Sequence, residues 1–144
     1  MTTQFNGTTK VSNDHEANGV DVTSEEGRAA LAKMVTKLFD LWGLPGAAQA
    51  SLLGLATTSR ASLSGYKNGK ALANTPDLLE RVGHLLSIHK SLRILFPYDR
   101  DLAYSWVTCP NRAFNGKSPL DVMLEYRFAG LLRVRAYLDF ARGR

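Results

Sequence analysis

The chain has 144 residues, of which 44% are hydrophobic and 22% are charged, and its net charge is +5 at pH 7. This size and composition exclude a chain that is disordered throughout, and they fit one ordinary domain or two small modules that share a core. The single cysteine, Cys109, excludes an intrachain disulfide, and no apolar run approaches the ~20 residues that span a bilayer. Because the first residues also lack the pattern of a secretory leader, we expect a cytoplasmic protein that is not attached to a membrane.

Residues 1–22 are rich in Thr, Asn, Gly and Asp, and they predict a flexible tail because they cannot bury enough apolar surface to fold. Thr23 and Glu26 have the spacing of a capping box. Apolar residues then recur at helical intervals until Gly43, which predicts a first amphipathic helix. Its apolar stripe consists of Ala30, Leu31, Met34, Val35, Leu38, Phe39 and Trp42.

Two short helices joined by a turn come next. The first runs from Pro45 to Gly54, and the second follows residues 57–59 and ends near Gly69. A long helix then begins after Thr75 and is stopped by Pro97, because proline cannot continue a helix.

The remaining helices are expected around residues 102–107, from Pro119 to about residue 125, and over residues 128–141. An exposed loop at residues 111–116 precedes Ser118, which has the position of an N-cap. Trp106 is assigned to packing. No segment alternates like a strand, so the sequence predicts an all-α helical bundle with seven helices.

The two short helices predict a helix-turn-helix, although the turn is about three residues longer than in the common pattern. Residues 43–72 contain three basic side chains and no acidic one, which predicts an unopposed positive field that suits DNA. Helical spacing directs one face outward, and with the flanking residues it gives the predicted DNA-binding set: Thr58, Ser59, Arg60, Ser62, Ser64, Lys67 and Lys70. The alternative is that the segment is only a helical hairpin in the core.

The last predicted helix presents three faces when it is wound at about 100° per residue. One faces the core through Leu131, Val134, Leu138 and Ala141. A second predicts a solvated ion-pair ladder of Arg135, Asp139 and Arg142. The third mixes aromatic and arginine side chains, which dominate protein interfaces, and consists of Arg133, Tyr137, Phe140 and Arg144. Alternatively, Tyr137 and Phe140 only widen the core stripe.

No reactive grouping accompanies these surfaces. His84 and His89 are five residues apart and do not share a helical face as a metal pair would, and the chain has neither a glycine-rich phosphate loop nor a nucleophile elbow. The sequence therefore predicts a protein with no metal, no cofactor and no enzymatic activity.

The C-terminal motifs resemble the toxin-binding domain shared by Xre, MbcA and ParS antitoxins, with the likeness extending over residues 44–144. It rests on Trp106, the Pro110-Asn111 step, the run from Gly116 to Asp121, and residues 134–138 before Arg142-Gly143. The resemblance implies the antitoxin of a two-gene system whose toxin has a RES domain, consumes NAD⁺ and is blocked when the antitoxin covers its active site. It also implies an Xre-type DNA-binding half that represses its own operon.

On this basis residues 23–72 form the helix-turn-helix region and residues 73–144 the toxin-binding region. The toxin-binding set comprises Asn111, Arg112, Arg133, Tyr137, Phe140 and Arg144; the alternative for the loop at 111–116 is a helix connector whose Asn and Gly serve only turn geometry. We expect a homodimer on a two-fold operator, because one module contacts too few base pairs for tight binding. The alternative function is a stand-alone dimeric helix-turn-helix repressor.

Overall fold

The computed structural model describes residues 21–143, and over this range it contains α-helices and short 3₁₀ turns but no strand. The all-α prediction is confirmed. The helices are α1 (Glu25–Leu41), α2 (Gly46–Leu52), α3 (Arg60–Lys67), α4 (Pro76–Leu95), α5 (Arg100–Ser105) and α6 (Pro119–Ala141), with 3₁₀ turns at Trp106–Thr108 and Arg112–Phe114. No helix in this part of the chain is both long and apolar enough to cross a bilayer.

The start of α1 differs by one residue from the predicted capping box. Ser24 is the N-cap, and its hydroxyl accepts from the amide of Gly27 at 2.9 Å. Thr23 instead donates its hydroxyl to the carboxylate of Asp21 at 2.9 Å, so it is not free to cap. The predicted tail, residues 1–22, lies outside the described residues except for its last two, and Asp21 already belongs to this turn.

Helices α1, α2 and α3 all end in the same glycine motif. Gly43, Gly54 and Gly69 follow the three C-caps with φ angles of 70°, 76° and 105°, a left-handed region that favours glycine. In each case the amide after the glycine donates to a carbonyl five residues earlier, as Leu55 does to Ala50 at 2.9 Å. Because glycines turn the chain sharply after α1 and α2, the first three helices pack against one another.

Helix α6 begins as predicted and is broken in the middle. Ser118 and Asp121 form a reciprocal capping box, with Pro119 in the first turn. At Arg127 the backbone leaves helical geometry, with φ 58° and ψ −130°, so the two helices predicted to meet near residues 125–128 form one element with a sharp break. Gly130 then lies against Val122 and Met123, which shows that the second half folds back over the first.

A single hydrophobic core extends through the described residues. Helix α4 packs against both α1 and α6, and α2 contacts α6 as well as α3. The core includes residues from every part of the fold, among them Phe39, Leu53, Leu72, Leu85, Ile88, Leu92, Met123, Leu131 and Leu138. Met34 and Ala141, predicted to face inward, are instead exposed because no neighbouring element covers their side of α1 or the last turn of α6. The division at residues 72 and 73 stays a prediction.

Candidate functional site

An open groove of about 630 Å³ lies between the start of α2 and one face of α3. Its walls come from the start of α2, the turn that follows α2 and one face of α3. The lining residues are Pro45, Gly46, Ala47, Gln49, Thr57, Arg60, Leu63, Ser64 and Lys67. The side-chain amide of Gln49 donates to the backbone carbonyl of Leu44 at 2.8 Å and so ties the start of α2 to the preceding turn.

Three of the predicted DNA-binding residues line this groove: Arg60, Ser64 and Lys67. They are exposed and recur at helical spacing on one face of α3. The inner side of α3 holds the buried Tyr66. Leu63 is half-buried and forms part of the groove wall.

The other predicted DNA-binding residues surround the groove without lining it. Thr58 is exposed in the turn, where its neighbour Thr57 takes the lining position, and Ser59 is the half-buried N-cap of α3. Ser62 is half-buried on the inner side of α3, and the side chain of Lys70 lies beside Gly65. The predicted DNA-binding residues therefore fall into two groups: those on the face of α3 that lines the groove, and those that lie outside it.

The positive field of this region is not unopposed as the sequence predicted. The Nζ atom of Lys67 lies 3.1 Å from Oδ2 of Asp40, which is exposed near the end of α1. A count of charges over residues 43–72 misses this carboxylate because it lies just before the segment. Asp40 thus reduces the positive charge at one end of the groove, whereas Arg60 takes part in no ion pair among the described residues.

The predicted toxin-binding face of α6 is divided between the core and the surface. Tyr137 is half-buried, stacks on Trp106 with ring centroids 6.1 Å apart, and meets the edge of Phe114 at 5.4 Å. The alternative that it widens the core stripe is therefore right for Tyr137. It is wrong for Phe140, whose side chain is 80% exposed.

An exposed strip remains on the second half of α6. The guanidinium of Arg133 lies over the ring of Phe114, 5.6 Å from its centroid, while Arg133 itself stays exposed. Leu132, Ala136 and Phe140 follow at four-residue intervals, so they occupy one side of the helix, and all three are exposed. Arg144, the last member of the predicted set, lies outside the described residues.

The loop before α6 is closed by its own hydrogen bonds. The side-chain oxygen of Asn111 accepts from the backbone amide of Ala113 at 2.8 Å, and the backbone carbonyl of Asn111 accepts from the backbone amide of Gly116 at 3.0 Å. Asn111 therefore acts in turn geometry, as the connector alternative held, while Arg112 beside it is exposed. Lys117 donates to the carboxylate of Glu125, and this hydrogen bond lowers the pKa of Glu125 and fastens the loop to α6.

The predicted ion-pair ladder on α6 is wrong. The guanidinium Nη1 atom of Arg135 lies 2.8 Å from Nδ1 of His84, and that of Arg142 donates to the hydroxyl of Ser91 at 3.0 Å. This face packs against α4, so the guanidiniums find acceptors there instead of on Asp139. Burial, followed by the charge of Arg135, lowers the pKa of His84.

The described residues offer no cluster of three or more His, Cys, Asp or Glu side chains that could hold a metal ion. His84 and His89 have separate surroundings: His84 meets Arg135 and Phe128, whereas His89 stacks on Tyr104. The groove on α3 combines hydrogen-bond donors with cations, and the strip on α6 combines apolar side chains with an arginine.

Comparison with known proteins divides the chain into two matches. Residues 21–87 match the antitoxin Xre-like helix-turn-helix domain, and residues 91–144 match the antitoxin Xre/MbcA/ParS C-terminal toxin-binding domain. The two matches meet inside α4. The chain is also 42% identical over 108 residues to the uncharacterized protein y4oB of Sinorhizobium fredii, an alignment that covers 74% of this chain and 80% of the relative.

Proposed function

This chain belongs to the Xre/MbcA/ParS family of antitoxins, and from that premise we propose that it neutralises a RES-domain toxin and represses its own operon. The family makes it the antitoxin of a toxin–antitoxin system with a DNA-binding helix-turn-helix. The observation that carries the finer proposal is the presence of two unlike exposed surfaces: a polar, cationic groove on α3 and an apolar strip with an arginine on α6.

For toxin neutralisation, the proposed contact is the strip formed by Leu132, Arg133, Ala136 and Phe140. An exposed aromatic ring and an arginine are the residue types that contribute most to protein interfaces. In this proposal the strip seats the antitoxin on the toxin, and Arg112 and Arg144 extend the contact toward the site where the toxin degrades NAD⁺. Inhibition is then by occlusion, so the antitoxin itself has no catalytic step.

The toxin contact is tested with Phe140→Ser combined with Arg133→Glu. Co-expressed with the neighbouring RES-domain toxin, the wild type should keep cellular NAD⁺ intact. The variant should bind this toxin at least about 30-fold more weakly than the wild type does, since one hot-spot residue contributes about 2 kcal/mol. Tyr98→Ser with Arg100→Glu is the matched control, because Tyr98 is 99% exposed on another part of the fold. Equal affinities for variant and control would contradict the strip.

For DNA binding, we propose that Arg60 reads base edges while Ser64 and Lys67 contact the duplex from the same groove. Arginine is the side chain that most often reads guanine in the major groove. Two copies of α3, related by the two-fold axis of a homodimer, would place a pair of half-sites on the promoter. Such a role goes with a cytoplasmic location.

Arg60→Ala tests this assignment. In fluorescence anisotropy, the variant should lose about 1–3 kcal/mol of affinity for its own promoter and much less for an unrelated duplex. Arg100→Ala, which removes the same charge from the exposed start of α5, should leave both affinities unchanged. Light scattering of the free protein measures the homodimer, and a monomer at micromolar concentration would contradict it.

The alternative is a stand-alone dimeric repressor that uses the C-terminal region only to dimerise. The two functions separate in one experiment: size-exclusion chromatography of this protein mixed with the product of the neighbouring gene. A stable complex supports the proposal that this protein is an antitoxin that acts on the product of the neighbouring gene. If promoter binding is intact and no RES-domain toxin associates, the stand-alone repressor is correct.

A further inference from the structure

Helix α1 carries an exposed row of charged residues beside α3. Lys33, Lys37 and Asp40 recur at intervals of four and three residues, so they lie on one face of the helix, and all three are exposed. Asp40 at one end reaches Lys67 of α3 at 3.1 Å. At the other end, Cε of Lys33 lies 3.8 Å from the place where a Cβ atom on Gly69 would be. The row therefore runs past the C-terminal end of α3.

We infer that Lys33 and Lys37 bind backbone phosphates of the DNA strand that borders the groove holding α3. The DNA-binding surface then extends from the helix-turn-helix onto α1, and the partner of the two lysines is the same duplex. This inference rests on the proposed DNA binding by α3.

The distances suit such a contact. Because a helix rises 1.5 Å per residue, Lys37 stands about 4.5 Å and Lys33 about 10 Å along α1 from Asp40. The major groove of DNA is about 12 Å wide, and phosphates line both of its rims. Lys33 and Lys37 therefore lie within about one groove width of Asp40, the residue that contacts Lys67. With α3 in the groove, their ammonium groups would come near the phosphates along one edge of that groove.

The charges favour phosphate as well. Among residues 21–143 the ion pairs join Lys67 to Asp40, Arg81 to Asp77 and Lys117 to Glu125, and neither Lys33 nor Lys37 takes part in one. Asp40 would repel a phosphate strand passing the end of α3. Two lysines on the same row outweigh that single carboxylate and make the row attractive to a polyanion overall.

An acidic surface on the toxin is the other class of partner that two lysines could bind. DNA is favoured because the row is continuous with the groove through the contact between Asp40 and Lys67, which lines the groove. The match to the toxin-binding domain begins only at residue 91. Toxin binding by these lysines is therefore an outcome that the experiment must separate.

The test uses the full chain with Lys33→Gln and Lys37→Gln together. Binding to the promoter is measured by anisotropy between about 50 and 200 mM salt, and the slope of log affinity against log salt should fall in magnitude by about 1–2, since each lost phosphate contact removes about 0.9. The preference for the promoter over an unrelated duplex should stay unchanged, because phosphate contacts carry no sequence information. Lys33→Arg with Lys37→Arg should restore the slope.

The control is Lys90→Gln with Arg100→Gln, which makes the same change in net charge at exposed positions on α4 and α5. A salt slope that is equal in the variant and this control overturns the inference while leaving DNA binding by α3 intact. A loss of toxin affinity with an unchanged slope overturns it in favour of a toxin contact. If the wild type binds no DNA, the proposed repressor function fails and the inference fails with it.

Discussion

At the scale of single residues, the break in α6 depends on Arg127 and Gly130. Arg127 has a positive φ that a non-glycine residue rarely adopts, at a cost of about 1–3 kcal/mol. The fold-back this permits brings the position of a Cβ atom on Gly130 within 2.8 Å of Cα of Met123, closer than a real Cβ comes. Only glycine therefore allows the second half of α6 to cross the first so closely.

Gly130→Ala should consequently destabilise the protein by about 1–3 kcal/mol, because the added methyl group can be accommodated only by moving backbone. Gly83→Ala is the matched control. Gly83 is helical and exposed in α4, with open space around it, so alanine there should stabilise by up to about 1 kcal/mol. Urea denaturation measures both, and an unchanged unfolding free energy for the Gly130 variant would contradict the tight crossing.

The residue scale also marks how far the candidate site could be predicted from the sequence. Helical rotation alone predicts that Arg60, Ser64 and Lys67 share a face, and the groove contains all three. Rotation does not say which neighbouring helix covers a face. For that reason the sequence missed the pairing of Lys67 with Asp40, 27 residues away, and the stacking that turns Tyr137 toward Trp106.

At the scale of elements, the ends of helices were largely predictable because capping is local chemistry. The starts at Thr75 and Ser118 and the stop at Pro97 all follow from side chains within one turn. The contact between α4 and α6 was not predictable. It joins residues 51 positions apart, as between His84 and Arg135, so the sequence predicted a solvated ladder where α4 in fact packs.

The contact between α4 and α6 should weaken in acid. Burial and Arg135 hold the pKa of His84 below its usual 6.5, so the unfolded chain takes up a proton more readily than the folded one. Its stabilising contribution is therefore full above pH 6.5 and is lost as the pH falls below that value. Between about pH 7.5 and 5.5, the unfolding free energy of the wild type should decline more than that of His84→Gln.

His89 contributes in the same direction in both proteins, because burial and the charge of Arg93 lower its pKa as well. The difference between the wild type and the His84 variant isolates the titration of His84, whose pKa is lowered first by burial and then by the charge of Arg135. Parallel stability curves for the two proteins across this pH range, measured by urea denaturation, would show that His84 does not couple α4 to α6.

At the scale of the whole molecule, the two family matches share one core. They meet inside α4, and α4 packs against both α1 and α6, while α2 also contacts α6. The apolar side chains form one cluster through both halves. Local sequence patterns could predict the helices in each half, but not this sharing, since it depends on contacts between distant segments.

One consequence is a single unfolding transition for both halves. The chain has two tryptophans, with Trp42 buried after α1 and Trp106 stacked on Tyr137 near α6. Trp106→Phe leaves a reporter of the N-terminal half, and Trp42→Phe leaves one of the C-terminal half. For each variant, the urea midpoint measured by tryptophan fluorescence should coincide with the midpoint measured by circular dichroism, which follows the loss of helix. A fluorescence midpoint that differs from the circular dichroism midpoint would indicate two independent modules.

The shared helix α4 also constrains how such proteins can be recombined. A chimera that grafts the DNA-reading helices of one relative onto the toxin-binding end of another would place its seam inside α4, which packs against both α1 and α6. The residues of α4 that contact α1 and those that contact α6 would have to come from relatives whose core side chains fit together. New pairings of operator and toxin are therefore reached more readily by changing surface side chains than by exchanging halves.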